Sequence, residues 1–246
     1  MNLGQLITHT NNLLVSLPNY REVPTPAETT DWLNEAMEFY ARNVEFYYDA
    51  IPWTLVAGVA EYDLQSAAFG RRILEPQNAV FGGNPSIRPD GQTGIIGYDD
   101  LKAFNVQWWS QPIGMPIYAV WQGGRTLRAW PTPDAPSAAL PNTFIGGLVV
   151  PGIVSTAGAI VGAFDPTDLG GTPDIPLDHH RMLCYKAVLL AVGPVQTEEM
   201  APKLQFFESE WMAGLNYAKD IQDRGVSALD ASVTNFGTGL GYWRQF

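Results

Sequence analysis

Residues 178–184 read Asp-His-His-Arg-Met-Leu-Cys, uniting an acid, two of the three histidines and the single cysteine of a 246-residue chain. Residue types of this kind could supply a thiolate–imidazole nucleophile or part of a metal site. On a helix, residues four apart share a face, so His180 and Cys184 could present two ligands together, while His179 points about 100° away from His180. Zinc takes three or four protein ligands, and the chain offers only His9 besides, with no second cysteine. A Cys–His nucleophile needs a third group to orient it, and nothing near in sequence supplies one; a G-x-S-x-G hydrolase motif is also absent. The stretch therefore reads as the start of a core helix. Asp178 is expected to cap it, Leu177 to staple against Met182, and Cys184 to be a buried core residue.

The other candidates for chemistry are weaker. Asp165, Asp168, Asp174 and Asp178 lie in and beside a glycine-containing loop, but without the alternating acid spacing of a calcium loop, so a solvated turn is expected. The run Gly-Thr-Gly-Leu-Gly at 237–241 imitates a nucleotide loop but has neither the preceding strand nor the following helix of that motif. No catalytic group, cofactor or metal is expected. What stands out in the tail is a set of large apolar residues among glycines: Phe236, Leu240, Tyr242, Trp243 and Phe246. Such side chains seek cover, either as a final strand on their own domain or as an arm docked on a partner, since aromatics anchor interfaces.

Composition narrows the function further. At 46% hydrophobic and 12% aromatic the chain has apolar surface for one large or two modest cores. Its net charge of −11, with no basic run longer than Arg71-Arg72, gives no footprint for gripping phosphates. An acidic wall would instead let DNA slide past without sticking. One cysteine excludes an intrachain disulfide. The first seventeen residues carry no Lys or Arg and no small-residue cleavage pattern, so no signal peptide is expected. Residues 144–164 are uncharged and about as long as the ~20 residues of a membrane span. Their five glycines, Pro151 and β-branched residues favour a hairpin turning at Pro151-Gly152, with no membrane role.

The elements that must position these residues follow from periodicity. Leu3, Leu6, Ile7, Leu13, Leu14 and Leu17 predict a first helix capped by Asn2 with Gln5, and Thr25, Pro26 and Glu28 form the capping box of a second. Trp32, Leu33, Ala36, Phe39, Tyr40, Val44 and Tyr47 carry that helix to about Tyr48. The period then shortens toward two, predicting strands at 53–57 and 59–64 joined near Gly58, and others in RRILEPQNAVFG, PIYAVWQ and TLRAWP, the last two joined at Gly123-Gly124. YDDLKAFN predicts a short helix between them. Helical spacing returns at 178–192 and again through Met200, Leu204, Phe207, Trp211, Leu215, Ala218 and Ile221, ending at Gly225. The fold class is thus α+β: a helical bundle built from residues 1–50 and 176–225, an inserted antiparallel β-sandwich-like domain at 51–175, and an extended tail at 226–246.

This order, with TDWLNEAMEFYARN, VAEYDL, TLRAWPTPDA, DIPLDHHRMLCYKAVLLAVG and KLQFFESEWMAGLNYAKD at its successive stations, resembles the head-to-tail adaptor (connector) proteins of tailed bacteriophages, short-tailed-phage type. The resemblance implies a structural virion protein, not an enzyme: a ring of twelve copies at the head–tail interface, assembled in the host cytoplasm. Such a ring binds the portal protein above and a tail or nozzle protein below, and continues the DNA channel without binding DNA specifically. It further implies a portal contact for the C-terminal segment, here the tail with Phe236, Leu240, Tyr242, Trp243 and Phe246. The alternative is a β-sandwich module of a virion or cell surface that stacks carbohydrate or peptide on Trp108, Trp109, Trp121 or Trp130; the long terminal helices count against it.

Overall fold

The computed structural model describes residues 1–20, 23–44, 48–64, 66, 72–88, 91–104, 112–136, 142–193 and 197–232, with side chains to residue 220. The protein is α+β, and the chain divides into two compact units. One is built from the N-terminal helices together with the chain from Val150 onward; the other lies between them and ends at Val149.

The helical unit begins with α1 (Leu3–Val15), where Asn2 and Gln5 form the expected reciprocal capping box. α2 (Pro26–Val44) starts on Thr25 and Glu28: the Glu28 carboxylate accepts from the Thr25 N–H at 2.8 Å and the Glu28 N–H donates back to the Thr25 hydroxyl at 3.3 Å. The helix does not reach the predicted Tyr48, which opens a strand. Its buried face runs through Thr29, Leu33, Ala36, Met37, Tyr40 and Val44, which turns Phe39 to the surface.

α4 (His180–Val192) packs against α1, α2 and α5 (Ala201–Ser232), which explains why its sequence is apolar nearly all round. Leu14, Leu17, Val188, Val192, Met200, Leu204 and Phe207 form one core across α1, α4 and α5. The stripe predicted for α5 is buried from Met200 to Ala218. Gly225 does not end that helix, which continues to Ser232. An interior glycine costs only about 1 kcal/mol against alanine, and Ala228 and Ala231 favour helix on its far side. Residues 226–232, expected as extended tail, are therefore helical.

Three short strands join this unit: β11 (Ile153–Val154) pairs with both β12 (Ile160–Val161) and β13 (Thr172–Pro173). The predicted 144–164 hairpin does not form. Residues Phe144–Val149 are strand β10, held between β1 (Tyr48–Pro52) and β3 (Ile73–Phe81), so both its edges are occupied before the chain reaches Pro151. Burial between two neighbours accounts for the lack of charge in Phe144–Val149. No helix among the described residues is long and apolar enough to cross a membrane.

In the second unit, β4 (Asn84–Pro85) completes the antiparallel sheet β1-β10-β3-β4. A bulge falls between Gly146 and Gly147 where Pro76, which has no N–H to donate, lies opposite. The other four-stranded sheet runs β2 (Glu61–Asp63), β8 (Thr126–Trp130), β7 (Tyr118–Trp121) and β5 (Ile96–Gly97). Of the two strands predicted on either side of Gly58, the one at 53–57 does not form, and the other shortens to Glu61–Asp63. β1 and β2 belong to different sheets, and Gly58, at φ +77°, sits in the turn between them. The turn at Gly123-Gly124 joins β7 to β8 as expected, with both glycines at positive φ.

The unit is not wholly antiparallel, as the sequence had suggested. β5 runs parallel to β7, a pairing that requires a crossover, and α3 (Tyr98–Phe104) lies within it. β6 (Ile113–Gly114) and β9 (Thr132–Pro133) form a second parallel pair. Ile51, Trp53, Phe81 and Ile145 from the first sheet and its continuation meet Ala119, Leu127 and Ala129 from the second in one core.

Candidate functional site

The histidine–cysteine stretch is interior packing. A 3₁₀ turn, Leu177–His179, precedes α4, and no side chain caps either element. Asp178 does not act as the expected cap, and Leu177 is 74% exposed, so it cannot staple against Met182. The prolines at 173 and 176 lead into the 3₁₀ turn, where the His179 N–H donates to the Pro176 carbonyl instead.

His179 is buried, with Nδ1 2.7 Å from the Tyr40 hydroxyl and its ring 6.1 Å from that of Tyr217. His180 is buried too: Nε2 lies 3.2 Å from the Ile175 carbonyl, and Nδ1 meets the backbone nitrogen of Met1. Burial is the main cause that holds both imidazoles below their ordinary pKa. Cys184 shares the face of His180, as the spacing required, and its Sγ lies 3.7 Å from the carbonyls of Leu6 and His180. Burial pushes the thiol up to about 11, the reverse of an activated nucleophile. Among the described residues no three His, Cys, Asp or Glu side chains gather where they could hold a metal ion.

The aspartates of the 165–178 loop organise turns. The Asp165 carboxylate accepts from the Thr167 hydroxyl and N–H at 2.7 and 2.8 Å, and Asp168 accepts from the Thr156 N–H at 3.0 Å. These hydrogen bonds lower both carboxyl pKa values. The loop then serves α1, whose Leu3 and Gly4 N–H groups donate to the Gly171 and Leu169 carbonyls. Beside it lies an open recess of about 770 Å³ reached by His9 and Arg181. Burial first, then the Arg181 charge, lowers the His9 pKa.

The tryptophans do not form a stacking platform that the described residues reveal. Trp130 is buried beside Tyr118, at 5.6 Å between ring centroids, and Trp121 is half-buried with its indole N–H donated to the Gly124 carbonyl. Trp108 and Trp109 lie outside the described residues, as do Phe236, Leu240, Tyr242, Trp243 and Phe246.

What the sequence reading missed is an apolar row on the second unit. Ile113, Met115 and Ile117 are exposed at alternate positions between β6 and β7, with a bend at Met115. The signal was present in Pro-Ile-Gly-Met-Pro-Ile, an apolar residue at every second place, of which only Pro116 and Ile117 fell within a predicted strand.

Among the described residues the histidines are interior packing, the aspartates form turns, and apolar side chains are exposed beside β6. The model of the family described as SU10 adaptor protein matches residues 1–232. The chain belongs to the SU10 adaptor family. It is accordingly a phage adaptor, a structural protein of the virion that works through contacts with portal and tail proteins. The match ends at Ser232, the last residue of α5, so the aromatic tail lies beyond the part that the adaptor family defines. No curated protein matches the chain.

Proposed function

We propose that this adaptor assembles as a ring of twelve between portal and tail, continues the DNA channel and gives the tail its docking platform. The adaptor-family match across both units carries the reading. The helical unit forms the bundle that closes the ring, and the β-rich unit has its two sheets about a common core as a sandwich. The net charge of −11 suits a channel past which DNA moves without being held. Phe236, Leu240, Tyr242, Trp243 and Phe246 bind the portal or a neighbouring subunit, because large apolar side chains spaced by glycine gain little until a partner covers them.

The test is the mass of the purified chain, alone and after mixing with the portal ring of the same virus, by light scattering on a sizing column. A portal peak that gains about twelve copies is expected of a closed ring. A chain that stays separate at every ratio overturns the portal contact.

A further inference from the structure

Two arginines three residues apart present the same fork in different company. At Arg125 the fork is filled: Nε and Nη2 donate to the two carboxylate oxygens of Asp63 at 3.3 and 3.0 Å. At Arg128, on β8, it is empty. This side chain is 4% exposed, and its Nε and Nη2 are buried without a hydrogen-bond partner. The same two nitrogens that hold Asp63 at Arg125 match the paired oxygens of a carboxylate here.

The sheet explains why the fork stays empty within one copy. Leu127 and Ala129 belong to the core between the two sheets, so Arg128 takes the opposite face with Val120 and Trp130. Ile96 and Leu101 pack on that face, and neither side chain has a polar atom to offer. The indole N–H of Trp130 is likewise buried without a partner. Across the register Arg128 stands opposite Val120 on one side and Glu61 on the other. The Glu61 carboxylate accepts from the Gln122 amide instead, at 3.3 Å. β2 is the edge strand and only three residues long, so Arg128 lies one strand in from the edge of its sheet.

A guanidinium cannot lose its proton to escape burial, so an unpaired one weakens the lone chain until an anion reaches it. The fork and the charge balance identify that anion. A DNA backbone is held by several cations acting together, and the nearest in sequence, Arg125, is taken by Asp63. The chain itself has 25 acidic residues against 14 basic ones. Copies brought side by side repel unless acids of one meet cations of the next.

We propose that Arg128 receives the carboxylate of an aspartate or glutamate side chain from a neighbouring copy. The side chain enters over the short edge strand β2, and Nε and Nη2 donate to its two oxygens as those of Arg125 do to Asp63. The two contributing patches are unlike surfaces of the same chain, so the contact is head-to-tail and repeats around a ring. The inference rests on the assembly of copies proposed above.

The test uses full-length chains assembled with the portal ring of the same virus. Unlabelled and isotope-labelled copies of Arg128→Lys are mixed and treated with a water-soluble carbodiimide, which joins an amine to a carboxylate in contact with it. Mass spectrometry of the digest should show position 128 cross-linked to an acid of the copy of other mass. A cross-link only within one copy, only to the portal, or none from assembled copies overturns the inference. Arg128→Met is the second variant, keeping the stem and removing the charge. Its lone chain should unfold at a urea midpoint equal to or above that of the parent. The concentration needed to add copies to the portal should rise roughly thirtyfold or more, as for the loss of a buried charge pair at an interface. A lowered midpoint would mean that a partner within the copy already holds the guanidinium, and that too overturns the contact. A portal peak that gains Arg128→Met as readily as the parent removes this contact and leaves the adaptor reading standing. A parent chain that never joins the portal overturns the adaptor reading itself, and this contact with it.

Discussion

The hydroxyl of Tyr40 lies 2.7 Å from Nδ1 of His179, and both residues are buried, at 1% and 3% exposure. This one bond ties the middle of α2 to the turn that launches α4. Tyr40→Phe keeps the ring and strands a polar atom in the interior, a change that costs about 1–3 kcal/mol. Urea unfolding should show that loss in the midpoint with no change in slope. A variant as stable as the parent would mean that water reaches the imidazole.

The same histidine makes stability depend on pH. Burial lowers the folded pKa of His179 against a weaker opposing effect of Asp178, and burial lowers that of His180 as well. The unfolded chain therefore binds protons that the folded chain refuses, beginning at the ordinary value near 6.5. Stability is complete above that pH and falls as the pH drops below it toward the lowered folded values. Urea midpoints at pH 7.5 and pH 5 should differ in that direction. In His179→Gln the difference should shrink, and an unchanged difference would remove His179 from the account.

Cys184 should be silent toward thiol reagents in the native state. Its pKa, pushed up to about 11 by burial, leaves almost no thiolate at pH 8, and its side chain is fully covered. Reaction with a chromogenic disulfide should appear only when denaturant is added, at one thiol per chain. Rapid labelling of the folded protein would contradict the packing of α4 against α1.

At Gly147 β10 runs close against the backbone of β3. A Cβ there would collide with the Glu75 carbonyl and lie 2.9 Å from the Pro76 Cα, both backbone atoms that cannot swing aside. Gly147→Ala should destabilise by about 1–3 kcal/mol, as overpacking does. Gly114→Ala is the control, since nothing lies within 4 Å of its added methyl group. Thermal melts of the pair should separate, and coincident melts would show that the sheet yields at the bulge.

Much of the helical unit was legible because its signals are local. Asn2 with Gln5 and Thr25 with Glu28 form their caps within one turn of chain, so no distant residue had to be known. The stripe from Met200 to Ala218 is likewise a property of one helix. The expectations that failed depended on what lay across a gap. Leu177 and Asp178 had the right types for a staple and a cap, but the chain entered α4 through a 3₁₀ turn that leaves Leu177 in solvent. The hairpin at 144–164 satisfied every local rule, and lost because β1 and β3, from remote parts of the sequence, took both edges of β10.

By itself, the sequence determined the α+β class and the starts of α1 and α2, because each rests on residue types and on spacings of three or four positions. Only the tertiary structure decided which strands are neighbours, that His179 turns inward to Tyr40, and that the Ile113–Met115–Ile117 row faces outward. Strand pairing and burial are contests among distant segments for the same partners, and a linear pattern records the candidates but not the winner.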